Sequence, residues 1–152
     1  MEDFLLRVSK PEDIDVILQM DELWEAEDIA HEYITENLEE YTAKLKRFPE
    51  YILVAESNGT LVGYINGSIH NNEDGLAVIP AGETYLEIEN LYVKPEFRHK
   101  GIGGRLMQSL LEVAEGNGIR RFILATDNKQ MDKMLSFYKR FGFNIWFARL
   151  YK

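Results

Sequence analysis

One stretch of thirteen residues constrains the fold more than any other: Val93-Lys94-Pro95-Glu96-Phe97-Arg98-His99-Lys100-Gly101-Ile102-Gly103-Gly104-Arg105. An apolar, β-rich run ends at Val93. A basic turn carrying three glycines follows, and helical spacing begins behind it. Such a junction is an anion site by construction. The first amides of a helix lack internal partners, and the helix dipole favours negative charge there. Glycines let a phosphate approach the backbone closely. Lys94, Arg98, Lys100 and Arg105 add four positive charges, opposed by Glu96 alone. The chain as a whole is acidic, with 17 Lys and Arg against 26 Asp and Glu, so this concentration stands out. The turn is not a Walker loop, which needs Ser or Thr after Gly-Lys, where this chain has Gly104-Arg105-Leu106. It is not a dinucleotide fingerprint either, because Leu106 stands where the third glycine belongs.

The elements around the turn follow from periodicity and punctuation. Phe4–Ser9 reads as a strand. Ser9-Lys10-Pro11-Glu12 carries a capping box and an early proline, and opens a helix to about Glu25 on Ile14, Ile17, Leu18 and Leu23. Residues 26–33 fit neither period. A second helix is expected over 35–48 on Leu38, Tyr41 and Leu45, stopped by Pro49. Asn58-Gly59 is a strong hairpin signal between strands at 51–57 and 61–70. Residues 71–82 read as a polar loop and 85–93 as the next strand. Leu106, Leu110, Leu111 and Ala114 form the stripe of a helix over 101–115, closed by Gly116 and Gly118. A strand at 121–126, a helix at 129–141 stopped by Gly142 and an aromatic-rich strand at 143–151 complete the chain. This order predicts one α/β (α+β mixed) domain over residues 1–152, with helices on both faces of a mixed sheet.

Composition removes several classes. The 152 residues contain no cysteine, which excludes a disulfide scaffold, a thiolate metal site and a cysteine nucleophile. No apolar run is long enough for a membrane span. The acidic start Met1-Glu2-Asp3 lacks the pattern of a secretory leader, so a cytoplasmic protein is expected. The net charge of −9 argues against nucleic acid as a partner. That charge is uneven: residues 1–40 hold 14 acidic and 2 basic side chains, the remainder 12 and 15. His31, His70 and His99 lack ligand spacing, so no metal is expected. Met131 and Met134 read as core.

Two motifs carry a family resemblance. Arg98-x-x-Gly101-x-Gly103-Gly104 after Tyr92-Val93-x-Pro95 resembles the acyl-CoA pyrophosphate loop of the GNAT superfamily of N-acetyltransferases. Downstream, Phe137-Tyr138-Lys139-Arg140-Phe141-Gly142-Phe143 is similar to that family's helix-ending Tyr-x-x-x-Gly-Phe motif. Their order and spacing extend the resemblance over most of the chain. It implies a mostly antiparallel sheet splayed between the strands at 85–93 and 121–126, with acetyl-CoA as co-substrate in the split. It implies that the backbone of Leu91, Tyr92 and Val93 holds the pantetheine arm. Arg98, His99, Lys100, Gly101, Ile102, Gly103 and Gly104 would then hold the pyrophosphate. Many relatives carry an asparagine seven residues before the tyrosine. Met131 stands there, and Asn128, ten before, either takes its place or the contact is absent.

Acetyl transfer to an amine needs a base, an oxyanion donor and a proton for the leaving thiolate. Glu87 and Glu89 lie two apart in an otherwise apolar strand and share a face. Glu87 matches a catalytic glutamate of some relatives and is the first candidate base, Glu89 the second. Tyr138 matches the family's general acid, and the resemblance implies a bulge that would expose an amide, that of Leu91 being the candidate, as oxyanion donor. Without cysteine, attack is direct in a ternary complex. Asp21, Glu22, Trp24, Glu25, Glu27, Asp28 and Glu32 suit a cationic amine at the acceptor mouth. A small molecule is the first expectation. A protein amino terminus or lysine, and a non-catalytic CoA-binding module, are the alternatives. The aromatic last strand suggests core packing, or a homodimer.

Overall fold

The computed structural model describes residues 3–73 and 75–152. The acidic start at Met1-Glu2, and Asp74 of the polar loop, lie outside the described residues. Strand β1 (Leu5–Val8) leads through a 3-10 turn into α1 (Ile14–Glu27), then α2 (Leu38–Arg47), β2 (Ile52–Ser57), β3 (Thr60–Asn71), β4 (Thr84–Val93), α3 (Ile102–Gly116), β5 (Arg121–Leu124) and α4 (Met131–Lys139). The sheet runs β1-β2-β3-β4-β5 in chain order. The first three pairings are antiparallel and β4-β5 is parallel, because α3 carries the chain across the sheet between them.

Local chemistry sets these boundaries. Asn58 and Gly59 both take positive φ, 49° and 77°, as the tight hairpin requires. Asn37 caps α2: its side chain accepts from Glu40 N at 2.9 Å while Glu40 returns the bond to Asn37 N at 2.8 Å. The box expected between Ser9 and Glu12 does not form; one residue later only its returning half is present. Asp13 accepts from Lys10 N at 2.7 Å and is held by the Arg7 guanidinium, which keeps its carboxyl below the ordinary range.

Alternation in the strands divides the interior into two layers. Leu53, Ala55, Leu86, Ile88 and Val93 pack with Leu106, Met107, Leu110 and Ala114 of α3. Ile52, Val54, Tyr64 and Tyr92 pack on the opposite face with Ile17 and Met20 of α1 and Tyr41 of α2. The sheet is therefore covered on both faces.

The strand expected at 143–151 does not form. Among the described residues, that segment has no ladder partner. Phe143 packs against the α3-side core, but Phe147, Leu150 and Tyr151 are exposed. Strand propensity needs a neighbouring edge to act on, and β5 is only four residues long.

Candidate active site

The sheet parts where expected. Pairing of β4 with β5 ends at Ile88–Leu124, while β4 continues to Val93 bonded to β3 alone. Residues 89–93 thus have no strand partner on the β5 side and present a backbone edge to a cleft, with Val93 O already taken by Arg98 Nε at 2.8 Å. A bulge marks the point of parting: Asn66 pairs with Asn90 and Gly67 with Ile88, which leaves Glu89 as the extra residue on β4. Gly67 is required there, since a Cβ at that position would lie 2.8 Å from the Glu87 carbonyl oxygen.

The glycine-rich turn closes one end of the cleft. Gly101 (φ 86°) caps α3 in a left-handed conformation, and His99 (φ 62°) shares it. Arg105 N donates to Gly101 O at 3.0 Å. Among the described residues, nothing accepts from the amides of His99, Gly101, Ile102, Gly103 or Gly104. Five donors at the positive end of a fifteen-residue helix fit a diphosphate. Beside them an open groove of about 510 Å³ is lined by His99, Asp132, Lys133, Ser136, Phe137 and Arg140.

The basic side chains take other roles. Arg98 donates from Nη1 and Nη2 to both oxygens of Glu27, at 2.6 and 2.8 Å, and from Nε to Val93 O at 2.8 Å. It ties the end of α1 to the end of β4. Lys100 lies over the Phe97 ring and Arg105 over Phe4. The unbonded amides make the backbone of this turn a candidate anion cradle.

Tyr138 stands on the β5 side of the cleft. It is in hydrogen-bond contact with Thr126, just past the end of β5, and burial pushes its hydroxyl up to about 12. It therefore holds its proton through the neutral range. Asn128 directs its side-chain oxygen to Gln130 N at 2.7 Å, opening α4, and its backbone pairs with Ala30.

Glu87 and Glu89 lie in different settings. Glu87 lies inside the paired ladder, opposite Ile123, half exposed and 3.5 Å from His70 Nε2. Glu89 lies at the bulge and accepts from Ser68 Oγ at 2.7 Å. It is also ion-paired with Lys44 of α2, whose ammonium pairs with Glu36 as well. Ser68 has one proton, and Glu89 takes it. The contact of 2.8 Å between Ser68 Oγ and His70 Nε2 is therefore a donation from His70, which fixes the imidazole proton on Nε2.

The segment that fitted no period, 26–33, straps across the mouth. Glu27 holds Arg98 on the β4 side. On the β5 side, Asp127 accepts from His31 N at 3.1 Å and Glu32 N at 3.0 Å, and Lys129 pairs with Asp28 at 2.8 Å. Tyr33 Oη accepts from Ile29 N at 2.7 Å and Ala30 N at 3.1 Å and folds the strap on itself. Below it, Tyr41 and Tyr64 both donate to the buried Asp21. Loss of hydration raises Asp21 to about 6. Sequence reading missed Lys44, Ser68, His70 and Asp127, because each acts through a partner distant along the chain. The Asp127-Asn128 pair directly after a strand was the one local signal. Among the described residues, no three His, Asp or Glu side chains converge as a metal would require.

Comparison with known proteins bears on the family and the fold. The profile of the acetyltransferase (GNAT) family matches residues 17–143. The N-alpha-acetyltransferase RimI of Mycobacterium tuberculosis is 37% identical over 89 residues, 59% of this chain and 49% of that protein. The chain spans between 41% and 63% of the length of the first curated relatives it matches. Among solved structures, Arabidopsis thaliana Naa50 in complex with the bisubstrate analogue CoA-Ac-MVNAL superposes with a TM-score of 0.71. It is 21% identical, and the match covers 93% of this chain and 83% of that one. An aminoglycoside acetyltransferase from an uncultured soil metagenomic sample, in complex with sisomicin, also gives a TM-score of 0.71. There the identity is 17%, with 98% of this chain and 95% of the other covered. At such identities these two likenesses speak to the fold.

Proposed function

Because this chain belongs to the acetyltransferase (GNAT) family, we propose that it moves the acetyl group of acetyl-CoA to a primary amine on a positively charged small molecule. The observation that carries this reading is the parted sheet. A β4 edge without a β5 partner, unbonded amides at one end, and an acid and a base on opposite lips supply what the transfer needs.

In this reading the diphosphate rests on the amides from His99 to Gly104, and the pantetheine arm lies along Leu91, Tyr92 and Val93. The Leu91 amide, beside the bulge, polarises the thioester carbonyl. We assign the base to Glu89 rather than Glu87. Glu89 is the residue at which the strands part, and Ser68 fixes one of its oxygens. Glu87 lies below, in the paired ladder. Glu89 takes the ammonium proton, directly or through water. The neutral nitrogen attacks the carbonyl carbon, and Tyr138 donates its proton to the departing sulfur. Arg98 acts as a strut, and Asn128 as the start of α4.

Acidic side chains near the mouth support a cationic acceptor. Glu36 and Glu89 share the ammonium of Lys44 at the bulge, Glu87 lies beside His70, and Asp28, Glu32 and Asp127 line the strap, where Lys129 pairs with Asp28. Such a field attracts an ammonium-bearing molecule and raises its local concentration. A peptide amino terminus is the second reading, favoured by the 37% identity to an N-alpha-acetyltransferase. Thiol release from acetyl-CoA, followed across polyamines, aminoglycosides and short peptides, separates them. The proposal expects kcat/KM at least tenfold higher for a small polyamine or aminosugar than for any peptide. The reverse order selects the second reading.

A further inference from the structure

We propose that Lys44 is itself an acetyl acceptor, so that the protein modifies its own acceptor site; this rests on the acetyl-transfer reading above. Lys44 lies in the last turn of α2, and its ammonium reaches back across the cleft face to Glu89 and Glu36. Its side chain is only 16% exposed, so the amine is held in place. Glu89 is the bulge residue at which β4 leaves β5, and the carboxylate assigned as base. The position that an incoming substrate ammonium must reach is therefore already filled by one of the chain's own amines.

The surroundings agree. Glu36 Oε2 and the Lys44 ammonium are both buried without a hydrogen-bond partner, so the pairing of one ammonium with two carboxylates is one of charge and is incompletely satisfied on both sides. Ser68 Oγ and Asn66 Nδ2 hold Glu89 from the β3 side, at 2.7 and 3.4 Å, and Lys44 meets it from α2. Lys46, two residues on in α2, has no such carboxylate pair recorded among the described residues.

The chemistry balances with acetyl-CoA as the only co-substrate. Glu89 takes one proton from the Lys44 ammonium. The nitrogen forms a bond to the thioester carbonyl carbon, and the carbon–sulfur bond breaks with its electron pair on sulfur. Tyr138 protonates the sulfur and regains a proton from water, while the nitrogen loses its second proton to water. Glu89 then releases its proton, so one proton leaves overall. The acetylated side chain is neutral. Glu36 and Glu89 lose their shared cation, and the mouth becomes more negative towards an external amine.

Intact-mass spectrometry of the purified chain incubated with acetyl-CoA alone tests this, with peptide mapping to locate the label. One acetyl group per chain is expected, at Lys44. It should form at least tenfold faster there than at any other lysine, and that preference should vanish in urea. Glu89→Gln should slow Lys44 labelling by about 10²-fold, the low end for loss of a general base. Lys46→Arg should leave the label in place. An unlabelled Lys44 in a preparation that turns over external amines overturns this inference and leaves the acetyl-transfer reading intact. An unlabelled Lys44 with no turnover of any amine overturns both. Labelling spread evenly over surface lysines, and insensitive to Glu89→Gln, is chemical acetylation and also overturns it.

Discussion

At the scale of single residues the account rests on Glu89 and Tyr138, one on each lip of the parted sheet. Glu89→Gln keeps the shape and the Ser68 contact but cannot take a proton. Its kcat should fall by about 10²-fold or more while acetyl-CoA binds nearly as before. A kcat within twofold of wild type would remove Glu89 from the chemistry. Tyr138 is a different case, because burial lifts its hydroxyl to about 12 and keeps it protonated. Tyr138→Phe keeps the packing against Phe137 and Phe143 and removes the hydroxyl, with its proton and its contact to Thr126. Here kcat should fall by about 10²-fold with the melting temperature little changed. Full activity in that variant would reduce the tyrosine to packing. The sequence offered both as candidates, Glu89 after Glu87 from a carboxylate pair in an apolar strand and Tyr138 from its resemblance to a family motif; the choice of Glu89 over Glu87 needed the bulge. Lys44 and Ser68 were not legible there, because neither is unusual until the bulge brings Glu89 against them.

At the scale of elements, two links hold α1 and α2 to the sheet and shape the mouth. The first is the buried Asp21 between Tyr41 and Tyr64. Burial raises its carboxyl to about 6 from an ordinary 3.8, against the pull of the two tyrosine hydroxyls. The folded chain thus holds this proton more tightly than the unfolded one. The group's contribution to stability is complete below about pH 4 and is lost as pH rises through about 6. Melting curves of wild type and Asp21→Asn should therefore diverge over that window, with wild type losing ground as pH rises. Parallel curves would show that Asp21 does not titrate there. The second link is the Glu27–Arg98 fork, which joins the end of α1 to the end of β4. A double-mutant cycle on this pair should give a coupling of about 1–2 kcal/mol, in the range of charge-assisted bonds. A coupling near zero would free Arg98 for the phosphates that the sequence motif suggested. Most elements were readable, because hairpin, stripe and glycine signals are local. The strap at 26–33 was not, since its order comes from Asp127 and Lys129 about a hundred residues away. The last strand failed for the opposite reason: its local propensity was strong, but no edge takes it up.

At the scale of the whole molecule the central claim is that the parted sheet and the α3 amides together form a seat for acetyl-CoA. Both ends of that seat are fixed by the fold, one by the bulge in β4 and the other by the left-handed turn at Gly101. Binding should therefore stabilise the entire domain. A thermal-shift titration with acetyl-CoA, run beside ATP and NAD, reads this directly. At about 100 times Kd the ligand should add about 2.7 kcal/mol. For a chain of this size that corresponds to a rise of about 5–10 °C in Tm. The account predicts that rise for acetyl-CoA and none of similar size for ATP or NAD. A folded protein whose Tm does not move with acetyl-CoA, or moves equally with all three, would contradict it and leave the turn a generic anion site.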